Sequence, residues 1–555
     1  MKQMTRIVCL LLSLLLLTGC APQGDPTVSS TVPETPGTVV GSRTAERTEQ
    51  TLSQIKALGE SPDDNYRTWY EIFVYSFCDS DGDGIGDLAG VTSKLDYLQE
   101  LGINGIWLMP IHPSTSYHKY NVSDYYAIDP AYGTMEDFET FMAECGKRDI
   151  HVILDLVVNH SGSEHAWFRE AYAYLQQLGD GEPDVSECKY LDYYFFSKEA
   201  APGYCQVEGT GWYYEAQFNY DMPDLNLASE ALRSEITDIM AFWLDKGVSG
   251  FRMDAAKEFY SGNPEKNKEV LAWIQETALS LKPDVYLVAE AWLDFASLTD
   301  YYESGFMSLF NFAFANSEGK IVKVLRSAGN ASTVSSYATA LEKADTAYLG
   351  SNPDYIDAPF LSNHDVGRII GFVSRDITKT KLAGAMNIFM SGSCFIYYGE
   401  ELGMVGSGND PSKRAPMYWN TARDNGTTGL PPECELPEEY PCGSLEEQLF
   451  DDASVYNYYR QAIAIRNALP VISHGRTTAE AALNIGCVSA QRKTWGEESC
   501  IILMNIQDAA AQVDLMDYAD WTLAASLQTG EDAVTLEGTV LNMPAYGVAV
   551  LIPNP

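Results

Sequence analysis

Three acidic residues each close an apolar run: Asp254 after residues 248–253, Glu290 after Val285-Tyr286-Leu287-Val288-Ala289, and Asp365 after residues 358–364. A carboxylate at the C-terminal end of a strand is held rigidly while the following loop shapes a pocket around it, which is where an α/β barrel carries its chemistry. Acids placed this way suit cleavage of a glycosidic bond. A retaining mechanism needs an ionised carboxylate as nucleophile and a protonated carboxyl for the leaving oxygen, about 5 to 5.5 Å apart. Arg252, two residues before Asp254, points to the same side of its strand. Its charge favours an ionised carboxylate there. An acid such as Glu290 has instead to keep its proton near neutrality, and neighbouring carboxylates assist that.

From residue 66 short apolar strands alternate with helical stretches, the pattern of an α/β domain with a parallel sheet. Strands are expected over 71–77, 105–109, 151–157, 248–253, 285–289, 307–310, 358–364 and 394–397, with helices over 88–101, 135–148, 230–246, 379–390 and 455–467. Eight strands favour a closed (β/α)8 TIM barrel, its two parts spanning 66–160 and 222–470. Residues 161–221 are polar, aromatic and punctuated by Gly and Pro, too long for a βα connection, and are expected to form an inserted domain B after strand 3. Strands over 485–491, 499–505, 521–526 and 547–552 predict a C-terminal antiparallel β-sandwich domain over 471–555.

The loop Asp79-Ser80-Asp81-Gly82-Asp83-Gly84-Ile85-Gly86-Asp87 sets acids at alternate positions, so that it can curl round one hard cation while Ile85 offers its carbonyl. Gly90 stands where an EF-hand has its closing Glu, which argues against that motif. Four carboxylates in nine residues repel one another without a cation, and structural Ca2+ on Asp79, Asp81, Asp83, Ile85 and Asp87 is the expectation.

A formal net charge of −41 excludes nucleic acid as a partner, because a polyanion is repelled, and it fits an anionic lipid surface poorly. It suits a solvated extracytoplasmic surface. Lys2 and Arg6 precede an apolar run over 7–17, shorter than the roughly 20 residues that span a bilayer, and residues 1–19 read as a secretory signal peptide. Leu17-Thr18-Gly19-Cys20 resembles the lipobox of bacterial lipoproteins, which implies a lipid on Cys20. Residues 20–65 would then tether the protein to a bacterial membrane, the stretch 21–41 being rich in Pro, Thr, Ser and Gly. Nine cysteines lie beyond Cys20; proximity in sequence offers Cys188 with Cys205, Cys434 with Cys442 and Cys487 with Cys500, and the odd count leaves one over.

Asp155-Leu156-Val157-Val158-Asn159-His160, Gly250-Phe251-Arg252-Met253-Asp254-Ala255-Ala256-Lys257, Glu290-Ala291-Trp292 and residues 360–365 resemble, in order, the four signature segments of the α-amylase family, glycoside hydrolase family 13. Residues 102–110 and 397–403 resemble two auxiliary segments. Met222-Pro223-Asp224-Leu225-Asn226 resembles the branch between oligo-1,6-glucosidases and neopullulanases. The resemblance implies Asp254 as nucleophile, Glu290 as acid/base and Asp365 as the third carboxylate. It implies Tyr120 as the stacking aromatic, His160 and His364 as sugar-binding histidines, and Arg252, Lys257 and Arg414 as further substrate-site residues.

Departures from the family pattern point to the substrate. Asn121 stands where many exo-acting members carry the Asp that pairs with a distant Arg, here Arg414, to clamp a chain end. Ala255 is the smaller residue of members that prefer α-1,4 bonds. Glu258 replaces a His whose backbone helps to bind an interdomain calcium, so a second ion at Asn159 is not expected. The resulting expectation is an endo-acting hydrolase of starch or maltodextrins. An exo-acting α-glucosidase or oligo-1,6-glucosidase, a transglucosylase and a non-catalytic glucan-binding lipoprotein stay open beside it.

Overall fold

The computed structural model describes residues 45–554 apart from residues 180 and 328. The signal peptide, Cys20 and the lipobox lie outside the described residues. Among the described residues no helix is long and apolar enough to cross a membrane.

Six strands form one parallel sheet: β1 (Thr68–Ile72), β2 (Gly105–Leu108), β3 (His151–Leu156), β4 (Gly250–Met253), β5 (Tyr286–Ala289) and β6 (Cys394–Tyr397), in the order β5-β4-β3-β2-β1-β6. Apart from His151 every residue in them is buried, as expected for strands covered on both faces. Two segments that make single bridges close the gap between β5 and β6. Leu309 lies beside Ala289 and Phe310 beside Ala358. The Phe395 N–H then donates to the Pro359 carbonyl at 2.8 Å, which completes the ring. The Ser393 N–H likewise donates to the Asp357 carbonyl, but Pro359, lacking an N–H, cannot donate to Ser393 in turn, and the Phe395 carbonyl accepts from Asn387, so no continuous ladder forms over 358–364.

Two expected elements are divided. Beyond Ile72 the chain leaves the sheet and makes the short helix Val74–Phe77. The helix expected over 88–101 becomes Leu88–Ser93 and Leu95–Leu101, because the Lys94 N–H bonds the Val91 carbonyl, one residue short of the helical partner.

The inserted domain carries the helix Ala166–Leu178 and a small antiparallel sheet of Phe196–Ser197, Tyr213–Glu215 and Tyr204–Gln206 in that spatial order. Phe168 packs edge-on against Tyr194 and Tyr214, with centroids 5.2 and 4.9 Å away. The C-terminal region has two antiparallel sheets. One orders Arg476–Ala479, Val488–Trp495, Glu498–Asn505, Val548–Pro553 and Trp521–Leu527; the other orders Ala511–Asp514, Val540–Met543 and Thr535–Glu537. Their facing residues, among them Ile501, Leu503, Val513, Leu541 and Leu551, form a separate apolar core.

Two expectations need correction. Residues 20–65 are not all tether, because Glu46–Lys56 is a helix whose Thr48, Leu52 and Ile55 share one buried face. Thr48 donates both its N–H and its hydroxyl to Asp452, at 2.7 and 2.8 Å. The proposed disulfides do not form; all nine described cysteines are free. The hairpin register explains one case. Cys500 lies opposite Lys493, whereas Cys487 is held by Ile506 at the other end of the ladder.

Candidate active site

β3 and β4 pair so that Asp155 and Arg252 are direct neighbours. The Arg252 side chain is fully buried and its guanidinium serves three acids. Nη1 reaches Asp155 and, at 2.8 Å, Asp254; Nη2 lies 2.5 Å from Glu290. Asp254 follows the last residue of β4 and Glu290 the last of β5. The turn after Asp254 is tight: Ala255 has a φ of 46°, and the Ala256 N–H donates to the Glu290 carbonyl at 2.8 Å. The two strand ends are therefore tied to each other as well as to one cation.

Asp365 enters from the loop beyond the closing segment. Arg414 Nη2 lies 2.8 Å from one of its oxygens and His364 Nε2 3.0 Å from the other. His364 is itself clasped from behind, its Nδ1 2.6 Å from Glu71 on β1. Burial opposes charge on this imidazole, but Asp365 and Glu71 on either side raise its pKa to about 10. The Tyr120 hydroxyl lies 2.8 Å from His364 Nε2 and its ring stacks on the imidazole at 5.5 Å.

Five carboxyl groups, those of Glu71, Asp155, Asp254, Glu290 and Asp365, thus face three cations, Arg252, His364 and Arg414. An imbalance of that kind is met by holding protons on acids. Burial pushes Glu290 up to about 7 against the pull of Arg252, with Asp254 and Asp365 adding to the rise. Burial likewise raises Asp155 to about 6 against Arg252. For Asp365 burial is outweighed by His364 and Arg414, and its pKa falls well below the usual carboxylate range. One acid that keeps its proton near neutrality and another held ionised stand within a single cleft, so neighbouring carboxyl groups there are set to different roles by their surroundings.

The cleft holds about 610 Å3, and Tyr120, His160, Asp254, Lys257, Glu290, Asp365 and Arg414 all line it. Arg252 and His364 lie beneath this lining as its support. His160 Nε2 is buried without a partner, and burial lowers its pKa. Arg414 does not pair with residue 121. Its Nη1 takes the Tyr117 hydroxyl at 2.9 Å, while the Asn121 amide turns to the Asp221 carbonyl at 3.4 Å.

Sequence reasoning passed over Asp155, Glu71 and the cleft residues His118, Phe218 and Trp292. Asp155 and Trp292 lie inside two of the family-like segments, but Asp155 is the penultimate residue of β3 rather than the residue after it. Glu71 offered no signal, because its partner His364 is 293 residues away. At the acidic loop, oxygens of Asp79, Asp81 and Asp87 lie within 4.8 Å of one another. Asp83 is outside that group; its Oδ1 accepts the Ile85 N–H at 2.7 Å.

The family model described as the α-amylase catalytic domain matches residues 71–475. The chain belongs to the α-amylase family. Within this family it is 40% identical over 416 residues to alpha-amylase 3 of Dictyoglomus thermophilum, covering 74% of this chain and 78% of that one. It is 31% identical over 464 residues to the glucan 1,6-alpha-glucosidase of Streptococcus pneumoniae, covering 72% and 83%. The solved structure of Eubacterium rectale Amy13B is 44% identical, covers 92% of this chain and 99% of its own, and superposes with a TM-score of 0.88. Membership in the α-amylase family makes this a glycoside hydrolase built on a TIM barrel with a C-terminal antiparallel region.

Proposed function

We propose that this enzyme is a retaining hydrolase of internal α-1,4-glucosidic bonds in starch or maltodextrins. An Asp254 oxygen attacks the anomeric carbon while Glu290 gives its proton to the departing glycosidic oxygen. The ester so formed is opened by water, whose proton returns to Glu290. Asp365, kept ionised by Arg414 and His364, holds ring hydroxyls and favours the positively charged transition state. His160 and Lys257 take sugar hydroxyls at the wall, and the Tyr120 ring offers an apolar face.

The observation that carries the endo reading is that Arg414 is engaged by Asp365 and Tyr117, while the uncharged Asn121 turns its amide to the Asp221 carbonyl. No ion pair between positions 121 and 414 caps the cleft, so a glucan chain can continue past the cleaved bond. The test is a product time course of residues 21–555 on starch, maltoheptaose, pullulan and isomaltotriose. Mixed maltooligosaccharides appear early from starch. Glucose released alone, or rapid cleavage of isomaltotriose, would move the enzyme to the exo-glucosidase reading that the streptococcal relative's name favours; products longer than the substrate would mean transfer.

Calcium at the acidic loop belongs to the same proposal, with Asp79, Asp81, Asp83, Ile85 and Asp87 as its candidate ligands, of which Asp79, Asp81 and Asp87 have oxygens within 4.8 Å of one another. The Asp79 N–H bonds the Gly426 carbonyl and the Gly84 carbonyl accepts from Gly429, so an ion there fastens the exit of β1 to a distant segment and stays clear of the three acids. Removing calcium with a chelator is expected to lower Tm through loss of the mass-action stabilisation, about 2.7 kcal/mol at a hundredfold excess over Kd. Excess calcium restores it and turnover at 25 °C is unchanged; a Tm indifferent to both treatments would reject the site. We further infer a lipid on Cys20 and an extracytoplasmic location. A Cys20→Ser protein should leave the membrane fraction for the soluble one, and its retention on membranes would count against the anchor.

A further inference from the structure

The loop over 216–222 stands between two cavities. Phe218, Asn219 and Met222 line the catalytic cleft. On the other side Tyr220 borders a groove of about 690 Å3 across the inserted domain. Phe168, Tyr172 and Tyr214 give the groove aromatic walls, and Glu164, Arg169 and Gln176 give it polar ones. That combination suits a sugar chain, whose rings have apolar faces and hydroxylated edges.

The loop backbone is held at several points. The Ser163 N–H donates to the Asp221 carbonyl at 2.9 Å, the Tyr214 hydroxyl to the Tyr220 carbonyl at 2.7 Å, and the Gln217 N–H to Asp224 at 3.1 Å. Despite that restraint Phe218 and Tyr220 leave 51% and 67% of their surface in water. The Phe218 ring faces the site, 5.5 Å from His160. Exposed aromatic surface beside a substrate cleft is unfavourable in water and is recovered when a ring stacks on a sugar.

We propose that Phe218 and Tyr220 carry the glucan chain out of the cleft and that the Tyr220 groove is a remote binding subsite for α-1,4-glucan. It rests on the α-1,4-glucan reading above and adds a preference for long chains to it. Several stacked sugars bound outside the cleft lower KM for a polymer and do nothing for a substrate too short to reach them.

The test compares kcat/KM on maltotriose and on long linear maltodextrin for the native enzyme and two variants. Tyr220→Ala removes the groove's near wall. Ala173→Arg, on the exposed face of the helix Ala166–Leu178, fills the groove from the other side. Each is expected to lower long-chain kcat/KM about three- to tenfold through KM, and to leave maltotriose unchanged. If both variants keep the native ratio of long-chain to maltotriose kcat/KM, the subsite is overturned while the hydrolase reading stands. A native enzyme that cleaves neither substrate would overturn that reading and the subsite with it.

Discussion

Replacing Asp254 with Asn lowers kcat/KM on maltoheptaose by a factor of about 10⁴ or more, the scale on which losing a covalent nucleophile is felt. The change is isosteric, and the Asn oxygen still accepts from Arg252 Nη1, now 2.8 Å from the carboxylate, so the loss is chemical and Tm stays close to native. Glu290→Gln separates the two roles. A maltosyl fluoride needs no proton for its leaving group, so Glu290→Gln still releases a burst of fluoride, whereas Asp254→Asn releases none. Maltoheptaose turnover collapses in both. A fluoride burst from Asp254→Asn equal to the native one would remove Asp254 from the nucleophile's role.

Arg252→Ala should cost stability as well as rate. The guanidinium is fully buried, and without it Asp155, also fully buried, loses its charge partner, a situation that costs about 3–5 kcal/mol when one member of a buried pair is removed. The pH profile moves too. With Arg252 present, Glu290 holds its proton up to about 7, so kcat/KM falls as pH rises through that value and the acid ionises. Arg252 pulls that pKa down, so its removal shifts the alkaline limb to higher pH. Thermal unfolding and a kcat/KM profile of Arg252→Ala beside Arg252→Lys measure both effects. A variant as stable as the native enzyme, with its alkaline limb unmoved, would contradict the hub role given to Arg252.

Where function follows from local pattern, the chain was readable. Asp254 and Glu290 sit at strand ends because the apolar runs before them are buried on both faces, and burial of such runs is visible in composition. Arg252 was placed by the two-residue period of its strand. What pairing decides was hidden: Asp155 becomes the third anion on Arg252 only through the register of β3 against β4. The protein partners of His364 were hidden as well, Glu71 at one ring nitrogen and Asp365 and Tyr120 at the other, because only the closed barrel brings them together. The acidic loop was legible as a carboxylate cluster, while which of its oxygens converge depends on the folded loop, where Asp79, Asp81, Asp83 and Asp87 all accept local backbone N–H groups. The helix over 46–56 was hidden by the Pro-, Thr-, Ser- and Gly-rich sequence of residues 21–41 before it, although Thr48, Leu52 and Ile55 already spell one helical face.

That first helix fixes where the enzyme can be cut. A cut ahead of residue 45 leaves a catalyst whose outer belt is whole, with Thr48 still fastened to Asp452 and Glu49 2.8 Å from Arg460. Cleavage after Lys56 strips the buried side chains of Leu52 and Ile55 from the barrel and leaves a wet apolar scar, the kind of surface on which freed molecules clump. Whether a trimmed form stays in solution therefore turns on a dozen residues that line no part of the catalytic cleft.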